Sequence, residues 1–155
     1  MATTHTPVVR KATASDEPAI VALVDALADY EKLDRPSPEA RRRLMQDLFG
    51  PKPRINCFLA LMDGYPLGYA IVLETYSSFL ALPTLYLEDL FVLEEYRKRG
   101  VGRALFLESL EEAKCRGCGR MEWTVLDWNQ LAIDFYQKIG GKHMAEWQLY
   151  RINLR

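Results

Sequence analysis

The sequence predicts a mixed α/β (α+β) domain, and three observations carry that expectation. Runs rich in branched and aromatic residues alternate with runs whose apolar residues recur at helical spacing. After the glycine pair Gly140-Gly141 the chain closes on two short strand-like runs. Its 155 residues, 49% hydrophobic and 26% charged, suit one globular domain over 1–155 with a sizeable core.

The elements follow in order. Residues 1–7 read as a loose tail, with neither the charged start nor the apolar run of a signal peptide. Val8–Ala12 is a short strand. Ser15-Asp16-Glu17-Pro18 gives a capping hydroxyl, two acids and a first-turn proline, so a helix starts there. It buries Ile20, Leu23, Val24 and Leu27 and ends near Tyr30-Glu31. Ser37-Pro38-Glu39 opens a second helix to about Leu48, on which Arg41-Arg42-Arg43 reads as a solvated face. Asn56–Met62 and Pro66–Glu74 are strands joined by a hairpin turn at Asp63-Gly64-Tyr65, and Thr75–Thr84 is a loop. Tyr86–Val92 is an uninterrupted strand. Gly102–Cys115 is a helix with Leu105, Leu110 and Ala113 on its apolar positions, stopped by Gly117 and Gly119. Met121–Leu126 is a strand, Gln130 to Ile139 a helix, and Lys142–Ala145 and Gln148–Ile152 the closing strands.

Charge and composition narrow the function. A net charge of -1 leaves no basic excess for a general nucleic-acid binder. No run of about 18 apolar residues suggests a membrane span. Three cysteines, an odd count, do not suit a secreted disulfide framework, so a soluble cytoplasmic protein is expected. Cys115-x-x-Cys118 lacks the second Cys/His pair that a zinc site needs, and no metal is expected. His5 and His143 stand apart from the motifs below and are not expected to be bases.

Two stretches carry chemistry. Glu88 and Asp89 sit inside the strand Tyr86–Val92, where successive side chains point to opposite faces and each carboxylate needs a partner or a wet cleft. Directly after it, Arg97-Lys98-Arg99-Gly100-Val101-Gly102-Arg103 places two glycines and four cations in seven residues before a helix. Converging backbone N–H groups and the helix dipole there would hold a phosphate-bearing cofactor. The segment is neither a Walker loop nor a dinucleotide fingerprint, which needs a small residue where Leu105 stands. A second signature, Asn129-x-x-Ala132-Ile133-x-Phe135-Tyr136-x-x-x-Gly140, lies about 27 residues on.

The pair resembles the acetyl-CoA-binding and catalytic motifs of the GNAT superfamily of N-acyltransferases. The likeness is to its diamine (spermidine/spermine) acetyltransferase branch, through Asp29-Tyr30-Glu31, Leu85–Asp89, Arg97–Gly102, Trp128-Asn129 and Ile133–Tyr136. The resemblance implies a GNAT-type, mostly antiparallel central sheet of about six or seven strands flanked by about four helices. It implies acetyl-CoA as cofactor, with Lys98, Arg99, Gly100, Val101, Gly102 and Arg103 around its pyrophosphate beside Arg97. Leu90, Phe91 and Val92 would pair with the pantetheine arm, and Asn129 would touch it too. Tyr136 would be the general acid for the leaving thiolate, and Glu88 the base that takes the amine proton, usually through water. Tyr30, Glu31, Glu88, Asp89, Glu146 and Trp147 match substrate-side positions. A small-molecule amine substrate and a homodimer are implied as well.

These roles agree with elementary chemistry. An amine attacks a thioester only when neutral, so a carboxylate must take its proton. A splayed strand end can offer N–H donors to the developing oxyanion, and a nearby O–H eases departure of the thiolate. In polyamine acetyltransferases the loop matching Tyr76–Thr84 typically carries an Asp and a Trp. Here those positions read Ser and Phe or Leu, and the loop is one residue longer. A diamine or a lysine analogue is therefore as plausible a substrate as spermidine. Acetylation of a protein amine, or a non-catalytic acyl-CoA sensor, remain the alternatives.

Overall fold

In the computed structural model, which describes residues 6–155, five strands pair in chain order into one sheet. They are β1 (Val8–Lys11), β2 (Asn56–Met62), β3 (Tyr65–Ser77), β4 (Leu82–Val92) and β5 (Arg120–Glu122). β1 to β4 are antiparallel, and β5 joins β4 in parallel. The helices are α1 (Glu17–Glu31), α2 (Pro38–Phe49), α3 (Val101–Cys115) and α4 (Gln130–Lys138). This is the expected α/β class with its mostly antiparallel sheet. The chain falls into two units, one ending at Trp123 with the sheet and α1–α3, the other Thr124–Arg155 with α4. Of the expected loose tail, residues 1–5, His5 included, lie outside the described residues.

The sheet has fewer strands than expected. Neither Lys142–Ala145 nor Gln148–Ile152 enters a ladder. The turn between them does form, with the Trp147 N–H donating to the Met144 carbonyl at 3.1 Å. Two short runs joined by a turn are too little on their own to hold a ladder. The expected loop Thr75–Thr84 is also corrected. Thr75 pairs with Thr84, Tyr76 with Pro83 and Ser77 with Leu82, so β3 and β4 zip up to a turn at residues 78–81. Thr75, Tyr76 and Thr84 are strand formers, and Pro83 keeps its carbonyl in use by accepting the Gly119 N–H at 2.9 Å. The other hairpin turn stands as read: Asp63 (φ 50°) and Gly64 (φ 81°) both take the left-handed conformation of a tight two-residue connection.

The expected cap of α2 forms, whereas the hydroxyl expected to cap α1, Ser15, sits in a 3-10 turn (Ala14–Asp16) with its Oγ 2.9 Å from Thr13 Oγ1, and Asp16 takes the cap position. Ser37 Oγ accepts the Ala40 N–H at 3.1 Å at the head of α2. Before α1, Asp16 accepts the Thr13 N–H at 2.8 Å and two bonds from Arg10 at 2.7 and 2.9 Å. The Arg10 guanidinium draws the Asp16 carboxyl down to about 2 and ties β1 to the helix. Arg41 leaves the solvated face expected of Arg41–Arg43. Its Nη2 donates to both oxygens of Asp25, at 3.0 and 2.8 Å, and clasps α2 to α1.

The sheet is covered on both faces. Ile20, Leu23 and Leu48 from α1 and α2 cluster with Cys57, Leu59, Tyr69, Ile71 and Phe91. Alternation along the strands turns Phe58, Ala60, Ala70, Val72 and Leu87 to the other face, and α3 packs against β2, β3 and β4. Gly68 on β3 is forced by a close approach: a Cβ there would run into the Phe91 carbonyl and lie 3.1 Å from Val92 Cα.

Candidate active site

The acid pair sits on an irregularity of the sheet. Ile71 pairs with Asp89 and Val72 with Leu87, so Glu88 is an extra residue in β4, a bulge. A bulge breaks the strand's alternation and bends it locally. The expected placing of Glu88 and Asp89 on opposite faces is thereby undone. Glu88 is exposed, Asp89 half-buried, and both act electrostatically on each other or on Glu31 at the end of α1. Burial, and then the Glu88 charge, raise the Glu31 carboxyl. Burial raises Asp89 to about 6; a hydrogen bond from Tyr69 opposes this, while Glu88 and Glu31 reinforce it. That bond runs from Tyr69 Oη to Asp89 Oδ2 at 2.9 Å. Among the described residues, no basic group contributes to the Asp89 shift, so the cluster is one that a bound cation would relieve.

Beside the bulge β4 changes from two sheet partners to one. The β4–β5 ladder joins Thr84 with Arg120, Leu85 with Met121 and Tyr86 with Glu122, and stops. The expected strand Met121–Leu126 is therefore shorter, ending at Glu122, and the ladder stops on β4 two residues before the bulge at Glu88. From Leu87 to Val92, through Leu90 and Phe91, β4 pairs within the sheet with β3 alone among the described residues.

The glycine loop follows β4. A 3-10 turn at Glu94–Tyr96 is closed by the Arg97 N–H on the Glu94 carbonyl at 3.2 Å. Lys98 (φ 59°) and Gly100 (φ 81°) then adopt left-handed conformations, and Gly100 caps α3. The helical ladder begins with the Ala104 N–H on the Gly100 carbonyl. Val101, Gly102 and Arg103 thus present the first-turn N–H groups that a helix cannot satisfy itself. The first turn holds no acid, and Lys98, Arg99 and Arg103 are exposed. Such a donor set fits a diphosphate. Arg97 is built in differently. Its Nε donates to the Val92 carbonyl at 2.9 Å, and its guanidinium lies 4.7 Å from the Tyr30 ring centre and 5.5 Å from that of Phe91. Its side chain therefore braces the ends of β4 and α1 against each other.

The remaining predicted residues belong to the second unit. Asn129 caps α4, its Oδ1 accepting the Ala132 N–H at 3.2 Å. Tyr136 lies on α4 with its ring edge-on to Phe135, centroids 5.4 Å apart. Its carbonyl accepts the Gly141 N–H at 2.8 Å, and Gly140 (φ 98°) provides the left-handed exit. Glu146 lies in the turn that the Trp147 N–H closes.

One participant escaped the sequence reading: Tyr69. Its signal was a single phenol in the apolar run Leu67–Leu73, and a buried tyrosine hydroxyl needs a partner. Which partner depends on strand register.

Comparison with known proteins bears on this geometry. Residues 21–141 match the family described as the Acetyltransferase (GNAT) family. Thialysine N-epsilon-acetyltransferase of Bos taurus is 32% identical over 154 residues, covering 92% of this chain and 90% of that protein. The L-ornithine N5-acetyltransferase NATA1 of Arabidopsis thaliana is 40% identical over 92 residues, 59% of this chain and 40% of its own. A solved structure described as a probable acetyltransferase superposes with a TM-score of 0.84 at 21% identity, covering 96% of this chain and 98% of the other, and so shares the fold.

Proposed function

As the chain belongs to the acetyltransferase (GNAT) family and is an acyl-CoA-dependent N-acetyltransferase using acetyl-CoA, we propose that its acceptor is a primary amine on a small molecule. The acceptor class is a diamine, a polyamine or a lysine-like amino compound. The observation that carries this reading is the cluster of Glu31, Glu88 and Asp89 at the bulge of β4, with no basic group acting on Asp89 among the described residues. An ammonium group relieves the mutual repulsion of such acids, and an amine-bearing substrate arrives as an ammonium ion. The similar proteins named for thialysine and for L-ornithine support an amino compound within this class.

Acetyl-CoA, when bound, supplies the acetyl group as a thioester. Lys98, Arg99, Gly100, Val101, Gly102 and Arg103 would hold its diphosphate, with Asn129 as a further contact. The stretch of β4 at Leu90, Phe91 and Val92 would pair with its pantetheine arm. Tyr30, Glu31, Asp89, Glu146 and Trp147 orient the substrate. Glu88 takes a proton from the amine nitrogen through water, which gives the nitrogen its lone pair. Tyr136 Oη would supply the proton for the thiolate released when the amine nitrogen takes the acetyl group and the thioester C–S bond breaks.

The test joins binding to turnover. Acetyl-CoA is expected to raise the melting temperature, as a ligand of the native state does. Free thiol should appear with at least one of putrescine, spermidine, spermine, lysine, thialysine or ornithine. Binding without thiol release across that panel would overturn the small-amine reading. A cytoplasmic homodimer, implied by the family resemblance of the motifs, belongs to the same proposal, and a monomeric mass in sedimentation would remove the dimer.

A further inference from the structure

Tyr69 has no task in the scheme above, yet it is fully buried and spends its hydroxyl on a carboxylate of the substrate cluster. The groups coupled to Asp89 come from four elements: three act on it, and it acts on Cys57. Tyr69 stands on β3, Cys57 on β2, Glu31 on α1 and Glu88 beside it on β4. Burial, and next the Asp89 charge, push the Cys57 thiol up to about 12, so it stays neutral. Burial and the same charge hold the Tyr69 phenol well above its usual range, so it remains a donor. Of the three groups that act on Asp89, Glu31 and Glu88 oppose a charge on it and Tyr69 favours one.

From this juxtaposition the geometry points to Tyr69 as a positioning residue of the acetyl-transfer site. By fixing Asp89 Oδ2 it keeps that carboxylate ionised beside Glu88 and Glu31 to receive the substrate ammonium group. The inference rests on the small-amine reading given above. A hydrogen bond to a charged group is stronger than one between neutral groups, so a single O–H is enough to move an ionisation by about one pH unit.

Tyr69→Phe tests it, since the ring and core volume are kept and one O–H is lost. Two readouts are needed. Carbon-13 NMR follows the Asp89 carboxyl against pH without substrate, and kcat/KM for the amine is measured over the same range. In the variant the Asp89 midpoint should rise by roughly one pH unit, and the acid limb of kcat/KM should rise with it. In Asp89→Asn the part of that limb that follows the Asp89 midpoint should be lost, and adding Tyr69→Phe should then cost nothing further. A rate lowered by one factor at every pH, with an unmoved midpoint, would make Tyr69 merely structural and overturn the proposal. So would a midpoint that moves while the limb stays, for the reaction would then not use the Asp89 charge. Should Tyr69→Phe not fold, a limb unchanged in Asp89→Asn has the same force. A parent protein silent with every amine sinks the small-amine reading itself and this inference with it, a failure visible before any variant is made.

Discussion

Tyr136→Phe is expected to lower kcat by at least about 100-fold, the usual contribution of a positioned proton donor. The change removes one O–H from α4 and keeps the ring, so the edge-on contact with Phe135 survives. Binding should survive too, because the proposed phosphate donors lie on the glycine loop and at the start of α3. The melting-temperature rise caused by acetyl-CoA should therefore match that of the parent while thiol release collapses. Loss of kcat with KM little changed is the signature of an interaction made only in the transition state. A variant as fast as the parent would remove Tyr136 from the mechanism.

Glu88→Gln should cost roughly 100-fold in kcat/KM at neutral pH, and its deficit should depend on pH. A primary amine of a lysine-like substrate loses its proton in water only near pH 10. At neutral pH the parent relies on Glu88 to remove that proton, which glutamine cannot do. As the pH rises toward that of free amine ionisation, the deficit should narrow, because the substrate then arrives already neutral. The fold should tolerate the change, since Glu88 is exposed on a bulge and leaves no buried cavity. Equal deficits at pH 7 and pH 10 would argue that Glu88 acts by charge alone.

Both residues are proposed from motifs in the sequence, and the fold shows how far local signals carry. Strand, helix and turn signals are local, so Val8–Lys11, the capped start at Ser37 and the Asp63-Gly64 turn could be read from neighbouring residues. The glycine loop was legible for the same reason. Register is not local. Glu88 was read as one half of an alternating pair, and only the pairing of Ile71 with Asp89 and Val72 with Leu87 makes it a bulge. The same dependence hid Tyr69, whose partner lies across the hairpin. Arg41 looked like one of three solvated cations until α2 packed on α1 and gave it Asp25. The closing strands failed in the opposite sense: composition allowed them, but a strand also needs a partner.

The chain order of the sheet implies an order of assembly. β2–β3 and β3–β4 close over turns at 63–64 and 78–81, and so pay little closure entropy. β1 must wait for α1 and α2, and β5 can reach β4 only after α3 has crossed between them. Contacts close in sequence form before those that close long loops. The bulge, the acids on it and Tyr69 are thus made in the first hairpins. The end of the β4–β5 ladder, beyond which the cofactor arm is proposed to lie, is made late, when its three pairs of residues zip.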